Sequence, residues 1–204
     1  MERGPHASAL VPDAIKQHKL EVDEKVKKGQ VRVIAWKKLR QNLPPKLKLS
    51  SLAMVPHKSR KYQAILDLSF ILKLIAGEIA SVNDTTVATA PAEAMDQIGG
   101  ALPRIIAAMA EADKEEVIFY AKWDIKDGFW RMVCEEGAEY NFAYVLPQER
   151  GKEPMIVIPT SLQMGWVNSP PYFGAATETA RDIADEYRRH RHRLDHSHPI
   201  SFFC

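Results

Sequence analysis

The chain contains little cysteine and has no long apolar run. Its 204 residues include only Cys134 and Cys204, which excludes a disulfide framework and fits no zinc-binding spacing. No apolar stretch approaches the roughly 20 residues that a membrane-spanning helix needs. Met1–His6 is not followed by the apolar core of a signal peptide. These absences predict an intracellular protein without a membrane partner, and they do not separate nucleus from cytoplasm.

The chain also lacks a large net charge, but its charges are unevenly placed. Formal net charge is +2, yet the segment from Lys16 to Lys61 holds 14 Lys or Arg and only 3 Asp or Glu. A local basic block of this kind favours a polyanionic partner. The alternative is a solvated, charged helical surface. Length and an apolar content of 46% allow one large domain or two small ones with a real core.

The first seventy residues predict helices followed by a hairpin. Residues 1–11 are expected to be flexible, and an amphipathic helix is expected over 12–28, with Pro12 in its first turn and Gly29 at its end. A second helix is expected over 31–41. Apolar residues at 52–56 and 62–68 predict two strands joined by a basic turn, His57-Lys58-Ser59-Arg60-Lys61.

The remaining residues predict alternating helices and strands. Ser81-Val82-Asn83-Asp84 is typical of a turn. A helical pattern runs over 91–113, with Gly99-Gly100 and Pro103 as candidate kinks. Ser169 is a candidate N-cap, and Pro170 a candidate first helical residue, for a helix that continues to about Tyr187. Strands are expected at 116–125, 131–134, 140–146 and 155–159, and an Arg- and His-rich tail at 188–204.

The most informative segment is Trp123-Asp124-Ile125-Lys126-Asp127-Gly128-Phe129-Trp130, which follows the apolar run 116–122. The run predicts a buried strand, so Asp124 is expected at a sheet edge that a hard cation and a phosphate could reach. The alternative is that Asp124 and Asp127 form a turn or a helix cap. About forty residues later comes a second segment, Ser161-Leu162-Gln163-Met164-Gly165-Trp166-Val167-Asn168-Ser169-Pro170-Pro171-Tyr172-Phe173.

These two segments resemble motif A and motif B of the reverse transcriptases, and the motif sequences are most similar to those of retrotransposon enzymes. Residues 55–69 resemble the fingers hairpin of the same family, and the likeness covers about residues 50–187. The resemblance implies an RNA-directed DNA polymerase that transfers deoxynucleotides to a primer 3′-hydroxyl. It also implies Mg²⁺ or Mn²⁺ as cofactor, and an RNA template/DNA primer duplex and a deoxynucleoside triphosphate as partners.

The resemblance assigns roles to individual residues. Asp124 corresponds to the catalytic metal-binding aspartate, and the carbonyl of Ile125 would help to hold the metal beside the nucleotide. Phe129 falls at the steric gate that excludes a ribose 2′-hydroxyl, although a core aromatic is the alternative. In motif B, either Gln163 or Met164 would line the nucleotide pocket, and Gly165 would let the backbone approach the incoming nucleotide and template. In the basic turn, Lys58, Arg60 and Lys61 would bind the triphosphate.

One motif of the family is missing from these 204 residues. Motif C carries two adjacent aspartates, and the sequence contains no such pair. The expectation is therefore a fragment truncated after motif B, with little or no polymerase activity alone, since one carboxylate holds two metals poorly. A non-catalytic nucleic-acid-binding remnant is the alternative function, and a chain without a stable fold is a third possibility. Four histidines in the tail could bind a metal, but a disordered basic tail is the alternative.

The expected fold is α+β, with reverse-transcriptase-like fingers and a partial palm. The expected division is a basic helical segment at 1–50, a fingers-like region at 51–115, a partial palm with motifs A and B at 116–187, and a disordered Arg/His-rich tail at 188–204.

Overall fold

The computed structural model describes residues 4–59, 61–74, 77–115, 117–119 and 124–191. The chain forms two compact units. The first comprises residues 1–87 and 127–169, and the second comprises residues 88–126 and 170–204. Helices and strands both contribute, so the predicted α+β class is confirmed. The predicted division into an N-terminal segment, a fingers-like region, a partial palm and a tail stays a prediction, because compact units do not identify such regions.

Helix α1 spans Pro12–Lys27, as the sequence predicts. Pro12 opens it, where a missing N–H costs nothing. Ala14, His18 and Val22 recur at intervals of four and form its buried side. Gly29 follows the helix with φ +70°, a backbone conformation that favours glycine.

The predicted helix over 31–41 is wrong for most of its length. Val31–Ala35 forms strand β1, and only Trp36–Leu39 forms a short helix, α2. Strand β1 pairs antiparallel with strand β7, Met155–Pro159, from Val31 opposite Pro159 to Ala35 opposite Met155. Three of the five β1 residues are Val or Ile, whose branched side chains suit a paired strand. Long-range pairing therefore decides the conformation of this segment.

The main sheet has the strand order β1-β7-β6-β2-β3. Strand β2, Leu49–Pro56, and strand β3, Tyr62–Asp67, form the predicted hairpin, with Pro56 opposite Tyr62. Strand β6, Ala143–Val145, is parallel to β2 and antiparallel to β7. The predicted strand at 155–159 is confirmed by β7.

The predicted hairpin of residues 131–134 and 140–146 is mostly wrong. Residues Gly128–Arg131 and Ala138–Phe142 form 3₁₀ turns instead. Val133 makes a single antiparallel bridge to Ser161, and only the short β6 remains of the second strand. Gly137 precedes the second turn with φ +85°, so the chain reverses there without forming a ladder.

The core of the first unit lies around the sheet and α1. Val22 of α1 packs with Leu52, Tyr144 and Val157. The buried Tyr144 hydroxyl lies 3.0 Å from Nε2 of His18, and burial raises the pKa of this tyrosine. These contacts hold α1 against strands β2, β6 and β7.

The N-terminal residues that were expected to be flexible are packed where the structure describes them. Ala7–Leu10 forms a 3₁₀ turn, and Ala9 is fully buried with Met54. The backbone N–H of His6 donates to the carbonyl of Leu52 at 2.9 Å. The prediction of flexibility is wrong for this segment, because the edge of β2 supplies a partner.

A small second sheet and a turn complete the first unit. Strands β4, Leu72–Leu74, and β5, Gly77–Ile79, pair antiparallel. A 3₁₀ turn follows at Asn83–Thr85, in the predicted turn region. Val82, Leu68 and Phe142 form a buried cluster beneath it, which anchors this turn to the end of β3.

The second unit is helical where the structure describes it. Helix α3 spans Ala92–Gly99 and helix α4 spans Ala101–Glu111, so the predicted helical pattern and its interruption at Gly99-Gly100 are confirmed, whereas α4 continues through Pro103. Helix α5 begins at Ser169 and spans Ser169–Arg191. Residues 188–191 therefore belong to a helix rather than to a disordered tail, and residues 192–204, including three of its four histidines, lie outside the described residues.

Candidate functional site

The basic turn of the β2–β3 hairpin supplies three of the predicted site residues. Lys58 is exposed. Lys61 donates to Oδ2 of Asp13 at 2.5 Å, and this hydrogen-bonded ion pair raises the pKa of Lys61 and lowers the pKa of Asp13. Arg60 lies outside the described residues. Lys61 is exposed too but forms an ion pair with α1, whereas no ion pair of Lys58 is seen among the described residues.

The predicted strand at 116–125 is not found in its described part. Residues 117–119, 124 and 125 have no strand conformation. Val117 is 72% exposed and Phe119 is 81% exposed, which contradicts the expectation of a buried strand. Residues 116 and 120–123 lie outside the described residues. Asp124 and Ile125 are exposed in irregular backbone. Because the four residues directly before Asp124 are outside the described part, its placement at a strand end stays a prediction.

The aromatic pair that follows Asp124 belongs to the first unit. Asp127 adopts a left-handed conformation with φ 56°, and Gly128–Arg131 then forms a 3₁₀ turn. Phe129 and Trp130 are half-buried in this turn. Phe129 is therefore compatible with either of the roles expected for it, because part of its ring reaches the surface.

Trp130 fastens this turn to α1 and to the following loop. Nζ of Lys25 lies 3.6 Å from the centroid of the Trp130 ring, a cation–π contact. Half-burial lowers the pKa of Lys25, and the nearby carboxylate of Asp127 opposes that shift. The Trp130 carbonyl accepts from Nε2 of Gln30 at 3.4 Å and from Oγ of Ser161 at 3.1 Å. The motif A turn is thus positioned from both sides.

The loop at residues 161–169, called the motif B loop after the resemblance, is held by a buried glutamine. Gln163 is 6% exposed, and its Nε2 donates to the carbonyls of Ser161 at 2.8 Å and Leu162 at 3.0 Å. Met164 is 67% exposed. The sequence left open which of these two residues faces a ligand. The structure presents the Met164 side chain at the surface and turns the Gln163 side chain inward.

Gly165 is required by the backbone of this loop. Its φ of +92° lies in the region that disfavours L side chains, and a Cβ built on it would lie 3.5 Å from the carbonyl oxygen of Leu66 in β3. The loop therefore turns sharply beside the end of the hairpin strand. The resemblance implied a close approach of nucleotide at this glycine; the contact found here is with β3.

Ser169 does not act as the predicted N-cap. Its hydroxyl donates to the carbonyl of Gln163 at 2.7 Å, and the residue is fully buried as the first residue of α5. A hydroxyl that caps a helix would accept from a backbone N–H instead. Pro170 is the second residue of the helix, not the first as predicted, and it still lies in the first turn. Ser169 thus connects the loop to the beginning of the helix.

Residues 83–87, in and after the turn that the sequence predicts at 81–84, are hydrogen-bonded to the motif B loop. Asn83 donates to the carbonyl of Gly165 at 2.9 Å and accepts from the N–H of Val167 at 3.2 Å. Nε1 of Trp166 donates to Oγ1 of Thr86 at 2.8 Å, and Nδ2 of Asn168 donates to the carbonyl of Val87 at 2.9 Å. The only sequence signal was the polar run Ser81-Val82-Asn83-Asp84-Thr85-Thr86.

The described residues do not supply a complete metal site. No group of three or more His, Cys, Asp or Glu side chains that could hold a metal ion occurs among them. Asp124 belongs to the second unit, whereas Asp127, the hairpin and the motif B loop belong to the first. One exposed carboxylate and one backbone carbonyl do not match the ligand count that Mg²⁺ or Mn²⁺ chemistry on phosphates requires. The donor set present here therefore does not fit the implied metals.

Within the part of the chain that the structure describes, no helix is both long and apolar enough to cross a membrane.

The first unit brings together three segments that are distant in sequence: the end of β3, the turn at Gly128–Arg131 and the motif B loop. Comparison with known proteins adds nothing to this geometry, since no protein-family model matches the chain and no curated protein matches it.

Proposed function

We propose that the chain is part of a retroelement reverse transcriptase and that its first unit binds template–primer duplex and the incoming deoxynucleoside triphosphate. The observation that carries the proposal is the meeting of three segments chosen for their resemblance. Ser69, which follows β3, and Gly165 of motif B both bond to Asn83. Ser161 of motif B bonds to Trp130 of motif A. A polymerase needs such segments together, because nucleotide and template meet at one place.

The reaction of this enzyme class is nucleotidyl transfer. A primer 3′-oxygen attacks the α-phosphorus of the triphosphate, pyrophosphate leaves, and a phosphodiester bond forms. Divalent ions would lower the barrier when bound. Because the described donor set does not fit them and the sequence has no adjacent aspartates, we assign binding and positioning, not turnover, to this chain alone.

The residues of the first unit have separate tasks in this proposal. Lys58 contacts phosphate through its exposed ammonium. Phe129 excludes a ribose 2′-hydroxyl with the exposed part of its ring. Met164 packs against the nucleotide base or sugar, since its side chain is 67% exposed. None of these tasks requires a proton transfer.

Primer extension on poly(rA)–oligo(dT) with Mg²⁺ or Mn²⁺ tests the catalytic part. We expect no extension by the wild-type chain, by Asp124→Ala or by the control Asp96→Ala, which removes an exposed acid of α3. Extension that Asp124→Ala alone abolishes would refute the assigned loss of turnover, and would require a carboxylate supplied by another source.

Discrimination between nucleotides tests the binding part. Addition of dTTP should strengthen the binding of labelled poly(rA)–oligo(dT), measured by fluorescence anisotropy, whereas UTP should not. Phe129→Ala should let UTP act like dTTP, while Phe119→Ala, an exposed aromatic of the other unit, should change nothing. Equal effects of dTTP and UTP on the wild-type chain would remove the nucleotide-selective role.

A second candidate is a non-catalytic nucleic-acid-binding protein, favoured by the placement of the basic block. Most of its described cations are exposed. They lie on α1, β1 and α2, in the loops and in the hairpin turn: Lys16, Lys19, Lys27, Lys28, Arg32, Lys37, Lys38, Arg40, Lys46, Lys58 and Lys61. Phosphate contacts release counterions, so binding should weaken steeply as salt rises from low to moderate concentration. Binding that stays flat with salt would exclude this candidate. Salt-dependent binding without any dTTP effect would favour it over the polymerase relationship.

A further inference from the structure

Asn83 is bonded to the motif B loop at two backbone positions. Its Nδ2 donates to the Gly165 carbonyl at 2.9 Å, and its Oδ1 accepts from the Val167 N–H at 3.2 Å. One amide side chain therefore satisfies a carbonyl and an N–H that are two residues apart. The two bonded groups lie on either side of Trp166. The loop changes direction here, because Gly165 has a left-handed backbone conformation.

The same side chain also reaches the hairpin. Nδ2 of Asn83 donates to Oγ of Ser69 at 2.8 Å, and the backbone N–H of Asn83 donates to the carbonyl of Leu68 at 3.0 Å. Asn83 thus connects the segment after β3 to the motif B loop. The backbone of Asn83 is bonded to the segment that follows β3, so the position of Asn83 does not depend on the motif B loop.

The turn that carries Asn83 is itself well held. Oδ2 of Asp84 accepts from the Ser81 hydroxyl at 2.8 Å and from the Ser81 N–H at 3.1 Å, and these hydrogen bonds lower the pKa of Asp84. Nζ of Lys48 donates to the Ser81 carbonyl at 3.0 Å and contacts the Thr85 hydroxyl. A turn fixed in this way can hold a loop without moving with it.

We propose that Asn83 is a positioning residue that sets the conformation of residues 164–167 for ligand binding. The inference rests on the proposed function. Asn83 is only half-buried, so water can replace its bonds when it is removed. Loss of Asn83 therefore frees the loop and misplaces Met164 while the sheet stays folded, and the ligand must order the loop again when it binds.

Two substitutions separate the two halves of the amide. Asn83→Ala removes donor and acceptor together. Asn83→Asp keeps an acceptor for Val167 N–H but turns a carboxylate oxygen toward the Gly165 carbonyl, which repels it. Asn42→Ala and Asn42→Asp are matched controls, because Asn42 is exposed in the same unit and the second control introduces the same charge.

The experiment measures the affinity for labelled poly(rA)–oligo(dT) at several salt concentrations, together with amide hydrogen exchange. We expect both Asn83 variants to bind at least about tenfold more weakly, and both Asn42 variants to stay within about twofold of wild type. The slope of log Kd against log salt should not change in Asn83→Ala, because Asn83 contacts no phosphate, whereas Lys58→Ala should reduce it by about 0.9. Exchange should accelerate at residues 164–168 and stay unchanged in β7.

The outcomes distinguish the inference from the function on which it rests. Duplex binding by wild type with unchanged affinity in the Asn83 variants would overturn the positioning role alone. No duplex binding by wild type would overturn the proposed function and reduce the Asn83 bonds to contacts of the fold. If Asn83→Ala also accelerates exchange in β7, Thr86→Val decides. It removes the hydroxyl that accepts from the Trp166 indole and donates to the Val82 carbonyl, and it leaves the bonds of Asn83 in place. About threefold weaker binding supports the loop argument, and unchanged binding refutes it.

Discussion

Two apolar segments of this chain have similar compositions and different structures. Met-Ile-Val-Ile-Pro at 155–159 forms β7, with Ile156, Val157 and Ile158 fully buried. Glu-Val-Ile-Phe-Tyr-Ala-Lys-Trp at 116–123 is equally rich in β-branched and aromatic residues. Its described residues, 117–119, form no strand, and Val117 and Phe119 are largely exposed.

The difference lies in the partners. β7 has β1 on one side and β6 on the other, so its backbone groups are bonded and its side chains are covered. For residues 117–119, the described part of the chain provides no paired strand. An apolar run therefore predicts the capacity to form a strand, and the availability of an edge decides whether the strand forms.

The largest expected effect comes from the buried member of this pair. Ile156→Ala should lower the free energy of unfolding by about 2–5 kcal/mol, because it leaves a cavity beside Leu39 and Ile158. Urea unfolding measures this loss. Val133→Ala is the control in the same unit, since Val133 is 79% exposed, and it should change stability by no more than about 0.5 kcal/mol. Equal losses in both variants would mean that exposure does not separate the two environments.

The next effect concerns the loop into which β7 leads. Gly165→Ala should cost about 1–2 kcal/mol, because alanine is strained at φ +92°. Gly4→Ala is the control, since φ is not positive there and nothing lies within 4 Å of the added Cβ. Urea unfolding compares the two. A Gly165→Ala variant as stable as wild type would show that the loop can adopt another conformation at little cost.

Elements with local signals were predictable from the sequence. Proline opens α1 and glycine follows it, and the β2–β3 hairpin has a polar turn between two apolar runs. The start of α5 at Ser169 was marked in the same way by Pro170. These signals act within a few residues, so they do not depend on the rest of the fold.

Elements that depend on distant partners were not predictable. The local sequence predicts a helix at Val31–Ala35, although pairing with Met155–Pro159 makes this segment a strand. The bonds of Asn83 reach Gly165 and Val167, more than eighty residues later, and no local pattern marks them.

The candidate site shows the same limit. Its segments are recognisable from their sequence motifs. The inward orientation of the Gln163 side chain and the ion pair of Lys61 with Asp13 depend on tertiary contacts, so the sequence did not predict them.

A smaller effect concerns the turn that faces the motif B loop. Hydrogen bonds from Ser81 hold the pKa of Asp84 below its usual value, so Asp84 contributes stability above about pH 4. This contribution is lost as pH falls through the lowered pKa of the folded state. Unfolding from pH 7 to pH 2.5 should show less acid destabilisation in Asp84→Asn than in wild type. Asp96→Asn, in α3, is the charge control, and an identical pH profile for wild type and Asp84→Asn would refute the role of the Ser81 bonds.

The smallest expected effect concerns residues 117–119, which form no strand. Phe119→Ser should change the free energy of unfolding by no more than about 0.5 kcal/mol, because the ring is 81% exposed. Phe142→Ser, at a ring that is 3% exposed and packs against Trp166, provides the contrast and should cost at least about 3 kcal/mol. A loss above about 1 kcal/mol in Phe119→Ser would mean that the run is covered in solution. The contrast with β7 would then fail, because both runs would have found partners.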